Sequence, residues 1–559
     1  MEAVNTLKEP FPTEILPLLD FGSADGRKDG SLEETFVPTT SVKQFLQDRH
    51  SIIVGQIGSG KSALFELLKN RSKKLGSYRN RLIIPIEEAI SFQLLRSFIA
   101  EEFATYDRKL IYKLIWKFQI LNRLCEEIYQ LPNFPQGQHE KEIRAYLRQI
   151  ESKEFDESVL GRLKGLLKNA ALVIKTKISK SPISIEAKLK GDLGSESKKA
   201  ELNLDRIYRC VMGALESRAI GKPLVIIDRI DTFVAGEDYD TQREFIEALL
   251  EVDDDIDASY PAIGRKIFLR ADLFARLDYE ALGYDKVNDN TLRIEWTDIE
   301  LLYFVANRIL SALKKQKALT EGDVLLSTDL SDYHLSGLSW FRTTKIIPLK
   351  LRKKLFNFSL INQERDASQM ERINKALITK VFPRKIVHKD ASSDEAEICI
   401  FDFLLTHFKD GHGKVTPRNL LTFLKEVSIS VATYYEENPD QEVHVKNIEG
   451  DWEWELFKKR CVYDGYCKAK KVYIRNISKV SNEWTKYFST FIGKRANKKT
   501  IDFNWVKSII GLEDEKVIAF IAYLHHIGFL YITEPHPDPK RRKYRIPIIY
   551  MPIPSAQSV

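Results

Sequence analysis

Apolar residues in the first half of the chain come in short β-branched runs with turn or polar signals at their ends. Ser51-Ile52-Ile53-Val54, Arg81-Leu82-Ile83-Ile84-Pro85-Ile86, Pro223-Leu224-Val225-Ile226-Ile227 and Lys266-Ile267-Phe268-Leu269 are of this kind, and each predicts a strand. Near-continuous apolar runs fit strands covered on both faces, as in a parallel sheet. Thr291-Leu292-Arg293-Ile294-Glu295-Trp296 alternates instead and makes a fifth strand. Between them the period changes. Ala63-Leu64-Phe65-Glu66-Leu67-Leu68-Lys69 reads as the first turns of a helix, and Thr297 and Asp298 are N-caps for a helix over Ile299–Arg308. Five strands alternating with helices predict an α/β sandwich.

A long insertion, about residues 100–205, interrupts this alternation between the second and third strands. Tyr112, Ile115, Trp116, Phe118 and Leu121 recur at near-helical spacing among lysines, which predicts helix and an additional hydrophobic core. Ile183-Ser184-Ile185-Glu186-Ala187-Lys188-Leu189 alternates, and the turn signal over Gly191–Ser195 makes a small hairpin. Further on, Thr416 caps a helix with Pro417 at its first position and Arg418 in its first turn. A cation there opposes the helix dipole, so an anionic partner is expected. Residues 320–395 are irregular and charged, with a basic run at Lys350, Arg352, Lys353 and Lys354 that reads as a solvated face. Residues 436–452 are polar and read as a linker. Near the end, helical stretches over Glu483–Phe491, Asn504–Ile510 and Glu513–His526 precede a hairpin of Phe529–Ile532 with Tyr544–Tyr550. Three helices and a two-stranded wing predict a winged-helix arrangement.

The chemistry concentrates where the first strand ends. Gly55-Gln56-Ile57-Gly58-Ser59-Gly60-Lys61-Ser62 fits G-x-x-x-x-G-K-[ST] between a strand and a helix, the context this phosphate-binding pattern requires. Gly55, Gly58, Ser59, Gly60, Lys61, Ser62 and Ala63 are the candidate nucleotide-binding residues. Glycines let backbone N–H groups converge on phosphate at the positive end of a helix, Lys61 reaches the β- and γ-phosphates, and Ser62 ligates Mg²⁺. Asp228, after four apolar residues, is the expected acid opposite Ser62 and the second metal residue. The next position, where many ATPases of the additional-strand class carry a glutamate, is Arg229. Either Asp231 takes over water activation, or hydrolysis is slow and the protein is a nucleotide switch. Arg270, at the end of the fourth strand, is a candidate γ-phosphate sensor.

With 559 residues, 43% hydrophobic and 30% charged, the chain has the composition of a globular protein of two or more domains. A net charge of +7 is modest for this length, so any nucleic-acid surface is local. Candidate phosphate contacts are Lys494, Arg495, Lys498 and Lys499 and the wing cations Lys540, Arg541, Arg542 and Lys543, opposed by Glu513, Asp514 and Glu515 at the start of the would-be recognition helix. DNA and protein remain equal alternatives as its partner. Neither a secretory signal nor a membrane-length apolar stretch is visible. Five cysteines without metal spacing read as reduced thiols, which predicts a cytoplasmic protein.

The chain resembles an under-characterised bacterial group of P-loop ATPases related to the AAA+, STAND and KAP classes and often encoded among phage-defence genes. Asp20-Phe21-Gly22-Ser23-Ala24-Asp25, Phe36-Val37-Pro38-Thr39-Thr40, Lys266 to Phe274 and Thr416-Pro417-Arg418 carry the resemblance, which reaches to about residue 435. It implies ATP binding with Mg²⁺, phosphate sensing by Arg270 and Arg418, and a homo-oligomer completed by a neighbour's arginine, for which Arg276 is a candidate. It also implies an effector protein encoded nearby, since the chain carries no nuclease or deaminase constellation. Relatives commonly have D-D-L-D where this chain has Asp228-Arg229-Ile230-Asp231. The catalytic set is then Lys61, Asp228, Asp231, Arg270 and Arg418. The domain reading is an N-terminal segment (1–35), a P-loop ATPase core of AAA+/STAND type with the helical insertion (36–300), a helical lid (301–435), a connecting region (436–480) and a winged-helix-like domain (481–559). The alternative function is a non-hydrolysing, nucleotide-gated DNA-binding or scaffold protein.

Overall fold

Each apolar run of the first half becomes a strand of one sheet: β1 (Ile52–Gly55), β2 (Leu82–Ile86), β3 (Pro223–Ile227), β4 (Gly264–Arg270) and β5 (Thr291–Ile294). The order is β2–β3–β4–β1–β5, and every neighbouring pair is parallel. The computed structural model describes residues 19–87, 108–131, 137–150, 173–175, 186–188, 201–202, 204–217, 221–234, 237–315, 371, 374–375, 378–379, 381–389, 395–439, 445–448, 451–454, 457–478, 484–495, 498 and 500–551. The chain divides into two units. One holds Pro38–Glu295 and Lys479–Ser489, the other Met1–Val37, Trp296–Ser478 and Thr490–Val559.

In the sheet-bearing unit, helix α1 (Thr40–Phe45) is capped by Thr39, whose Oγ1 accepts from the Val42 N–H at 3.2 Å. Ser41 Oγ donates to the carbonyls of Arg293 and Glu295, both at 3.2 Å, which ties α1 to the end of β5. Helix α2 (Lys61–Arg71) follows the glycine loop and buries Leu64, Phe65, Leu67 and Leu68. Two cations stand near the start of β4, ahead of its apolar Ile267-Phe268-Leu269, and each has a carboxylate partner. Arg265 pairs with Asp253 at 2.6 Å and Lys266 with Asp48 at 2.8 Å.

The insertion supplies α3 (Arg108–Tyr129) and α4 (Gln138–Ile150), joined in packing by α5 (Leu204–Ser217). Its apolar face belongs to the same core as the sheet, rather than building a second one as expected. Trp116 is fully buried, 4.8 Å from the Phe245 ring on α6 (Tyr239–Ser259), and its Nε1–H donates to the Phe245 carbonyl at 3.1 Å. Truncating such a residue costs about 3–5 kcal/mol. The lysines also have a purpose. Lys109 and Lys117 reach Glu251 (2.6 Å) and Asp255 (2.7 Å) on α6, and Lys113 also pairs with Glu251. Glu186–Lys188 is the middle strand of a three-stranded antiparallel sheet with Val173–Lys175 and Glu201–Leu202, and the Gly191–Ser195 turn lies outside the described residues.

The second unit holds α7 (Asp298–Lys315), α8 (Pro417–Glu437) and α9 (Lys459–Ile477). Helix α9 lies within the segment read as a connecting region. It buries Val462, Tyr466, Ala469 and Tyr473, and it lies so close to α8 that a Cβ on Gly465 would stand 2.6 Å from the Val427 Cα. A hairpin, Val445–Ile448 with Asp451–Trp454, also falls in that segment. The basic run Lys350–Lys354 lies outside the described residues. Toward the end come α10 (Thr485–Lys494), β6 (Ile501–Asp502), α11 (Phe503–Ile510), α12 (Asp514–His526), β7 (Tyr531–Glu534) and β8 (Lys543–Arg545). The three strands form an antiparallel sheet in the order β6–β8–β7. Phe491 packs edge-on against Trp505, Phe520 and Phe529 at 5.5–6.1 Å.

Candidate functional site

The loop between β1 and α2 is shaped by glycine. Gly58 and Gly60 have φ of 84° and 104°, a region closed to most side chains. Gly60 stands at the N-cap of α2, so the helix begins at Lys61 with Ser62 and Ala63 in its first turn, and the opening N–H groups of a helix have no partner within it. Lys61 is buried and its Nζ donates to the Gly55 and Gln56 carbonyls at 2.7 and 2.9 Å. Burial pulls its ammonium down to about 8; Asp228 opposes this most, Arg270 adds to it, and Asp231 and Asp272 oppose it.

The acids and the arginine arrive from neighbouring strands. Asp228 follows β3, is buried, and its N–H donates to the Ile86 carbonyl at 3.2 Å. Arg270 ends β4, the strand between β3 and β1, where it is the register partner of Gly55. Its Nε and Nη2 donate to the two oxygens of buried Asp272 at 3.0 and 2.6 Å, and its Nη1 donates to Asp231 Oδ2 at 3.2 Å. These carboxylates raise the Arg270 pKa despite its burial, and Arg270 in turn lowers that of Asp272. Arg229 is exposed and left-handed, φ 62° and ψ 28°. Its carbonyl accepts from the Thr232 N–H (2.8 Å) and Oγ1 (2.7 Å), a tight turn that carries Asp231 back to Arg270. Arg276, the candidate finger, is half-buried and helps hold the Asp272 carboxyl down.

Lys61, Asp228, Asp231 and Arg270 therefore gather at the carboxyl ends of three adjacent strands, the usual ligand edge of an open α/β sheet. Asp272 was missed from sequence. Its signal is the Arg-x-Asp spacing at the end of a buried strand. Among the described residues no group of three or more His, Cys, Asp or Glu could hold a metal unaided. A hydroxyl and a carboxylate, Ser62 and Asp228, still suit Mg²⁺, which takes few protein ligands and completes its shell with phosphate and water.

Arg418 belongs to the other unit. It follows Thr416, whose Oγ1 accepts from the Asn419 N–H, and its Nε donates to the Ala24 carbonyl at 3.3 Å. The Asp20–Asp25 segment is fixed by the Phe21 carbonyl, which accepts from Arg308 on α7 at 3.2 Å.

At the C-terminal end several of the basic residues are locally engaged. Lys507 and Lys540 hold Asp514 at 2.5 and 2.6 Å and pull its carboxyl down to about 2, so the acid at the head of α12 is neutralised from within. Lys543 pairs with Glu534 at 2.8 Å and Arg542 donates to the His536 carbonyl at 2.7 Å. Arg495 is buried and donates to the Ile492 and Tyr550 carbonyls at 2.7 and 3.1 Å, a structural arrangement. Lys499 lies outside the described residues.

No family model matches the chain. It is similar to the "Putative transposon gamma-delta 80.3 kDa protein" of Escherichia coli (strain K12), with 24% identity over 303 residues, which cover 53% of this chain and 40% of that protein.

Proposed function

We propose that the chain binds ATP with Mg²⁺ and hydrolyses it, coupling the nucleotide state to assembly and partner engagement. The observation that carries this reading is Lys61 in a left-handed glycine loop, one strand away from Arg270 and two from Asp228. Backbone N–H groups of Gly58 to Ala63 would cradle the phosphates, with Lys61 leaving its loop carbonyls for them. Ser62 and Asp228 would hold the Mg²⁺, which neutralises phosphate charge when bound. Arg270 would read the terminal phosphate. The strand order, with a sensor strand between the two nucleotide strands, supports an AAA+/STAND-like core; the homo-oligomer, the effector encoded nearby and phosphate sensing by Arg418 rest on the resemblance to the phage-defence group alone. The helix and strand order of the last unit supports a winged helix, with DNA or protein as partner. Five cysteines free of disulfides agree with a reducing, cytoplasmic setting. Among the described residues no helix is long and apolar enough to cross a membrane. The name of the Escherichia coli relative carries no activity to this chain.

Steady-state ATP turnover with and without DNA tests the reading. Turnover abolished by Lys61→Ala supports an ATPase. Tight ATP binding without turnover favours the second reading, a nucleotide-gated scaffold or DNA-binding protein, for which the exposed Arg229 after Asp228 speaks. No ATP binding removes both.

A further inference from the structure

Arg270 is held by two acids in two different ways. Asp272 is 4% exposed at its side chain and takes Nε and Nη2 in a fork; Asp231 is 35% exposed and takes Nη1 alone, at 3.2 Å. Leaving Asp272 would strand a buried charge, which costs several kcal/mol, so that fork is fixed. The single bond to half-exposed Asp231 is the one that can be exchanged at little cost. The guanidinium sits at the end of the strand beside the glycine loop, in register with Gly55, and Lys61 feels Arg270 in one direction and Asp231 and Asp272 in the other.

We infer that Asp231 and the terminal phosphate of a bound nucleoside triphosphate compete for Nη1 of Arg270, with Asp272 as the residue that positions the guanidinium for both. The inference rests on the nucleotide reading above and adds the group that tells triphosphate from diphosphate. Without a third phosphate, Arg270 stays on Asp231 and the carboxylate is tied up. When a γ-phosphate takes Nη1, the carboxylate is released beside the reacting group. Hydrolysis then forms a bond from the water oxygen to the γ-phosphorus and breaks the bond from that phosphorus to the bridging oxygen. ADP leaves with that electron pair, and Asp231 accepts the proton of the water. The displaced position of this acid, three residues after Asp228 instead of one, follows from the left-handed turn at Arg229.

The experiment is calorimetric titration of the full chain with ADP and with a non-hydrolysable ATP analogue, in Mg²⁺, beside turnover measurements. Removing the competitor with Asp231→Asn is expected to raise the triphosphate-to-diphosphate affinity ratio about fivefold, while turnover falls by about 10²-fold. Asp231→Ala, at the same half-exposed position, is expected to move the ratio in the same direction, and Arg270→Lys to lower it. A purely structural role for Asp231 would weaken both nucleotides together. An unchanged or lowered ratio in both Asp231 variants overturns the competition while leaving nucleotide binding intact. Absence of nucleotide binding by the unsubstituted chain overturns both readings.

Discussion

A Cβ on Gly55 would stand 2.3 Å from the Ser59 Oγ and 3.3 Å from the Ile294 Cβ. The first glycine of the loop is therefore crowded by a side chain four residues on, and its own backbone angles do not call for glycine, since it is absent from the positive-φ glycines. Gly55→Ala is expected to push Ser59 aside and weaken ATP binding by about tenfold or more, with the fold retained. Gly55→Ala combined with Ser59→Gly removes the offending oxygen and is expected to recover most of that loss. Titration of the two variants with ATP decides it, and failure of the double variant to recover would place the fault elsewhere in the loop.

Arg229 and Asp48 are the non-glycine residues at positive φ among the described residues. For an L-residue this conformation costs about 1–2 kcal/mol. Because the Arg229 side chain is exposed, its removal loses little contact. Arg229→Gly is expected to change stability by no more than about 1 kcal/mol, in the stabilising direction, whereas Arg229→Val is expected to lose about 1–2 kcal/mol. Thermal melting of the two variants measures the difference. Equal melting would mean that the turn relaxes readily and does not fix Asp231.

The sheet and the glycine loop are legible in sequence because their signals are local: apolar runs of strand length, a glycine spacing, an acid closing a strand. The clamp on Arg270 is not, since Asp231 lies 39 residues away and only the turn at Arg229 brings it near. Helix α9 escapes notice for a different reason. Its buried face is built from Tyr466, Ala469 and Tyr473 beside a glycine, among many lysines, so composition hides the 3.6-residue period. The partners of the insertion's lysines are not legible locally either, because their carboxylates come from α6, far along the chain.

Arg308 and Asp29 form an ion pair 2.6 Å long with side chains only 4% and 1% exposed, and a Cβ on Gly22 would stand 2.3 Å from the Arg308 Nη1. This pair anchors the Asp20–Asp25 segment to α7. Removing one partner leaves the other charged and buried, so Asp29→Ala is expected to destabilise that unit by about 3–5 kcal/mol. Replacing both, Asp29→Leu with Arg308→Met, is expected to cost less than the sum of the single changes. A double-mutant cycle read by thermal melting checks this, and additive effects would show that the pair contributes no coupling.

Asp410 should make the second unit less stable at neutral pH than in mild acid. It is buried, and its Oδ1 accepts the N–H groups of His412 (2.9 Å) and Lys414 (3.1 Å). Burial raises its pKa above 3.8 more than these N–H groups and His412 lower it. The sign follows from proton counting. Below about pH 4 the carboxyl is protonated folded or unfolded, and it contributes no pH dependence. Above that, the unfolded chain ionises first and binds fewer protons than the folded one, so stability falls with rising pH until the folded group has also ionised. Asp410→Asn keeps an Oδ1 acceptor for both N–H groups and removes the charge. The variant is therefore expected to melt higher than the unsubstituted chain at neutral pH, with the gap closing toward about pH 4. Melting curves across that range measure it; a gap that persists in acid would mean the carboxylate contributes through packing and not through its charge.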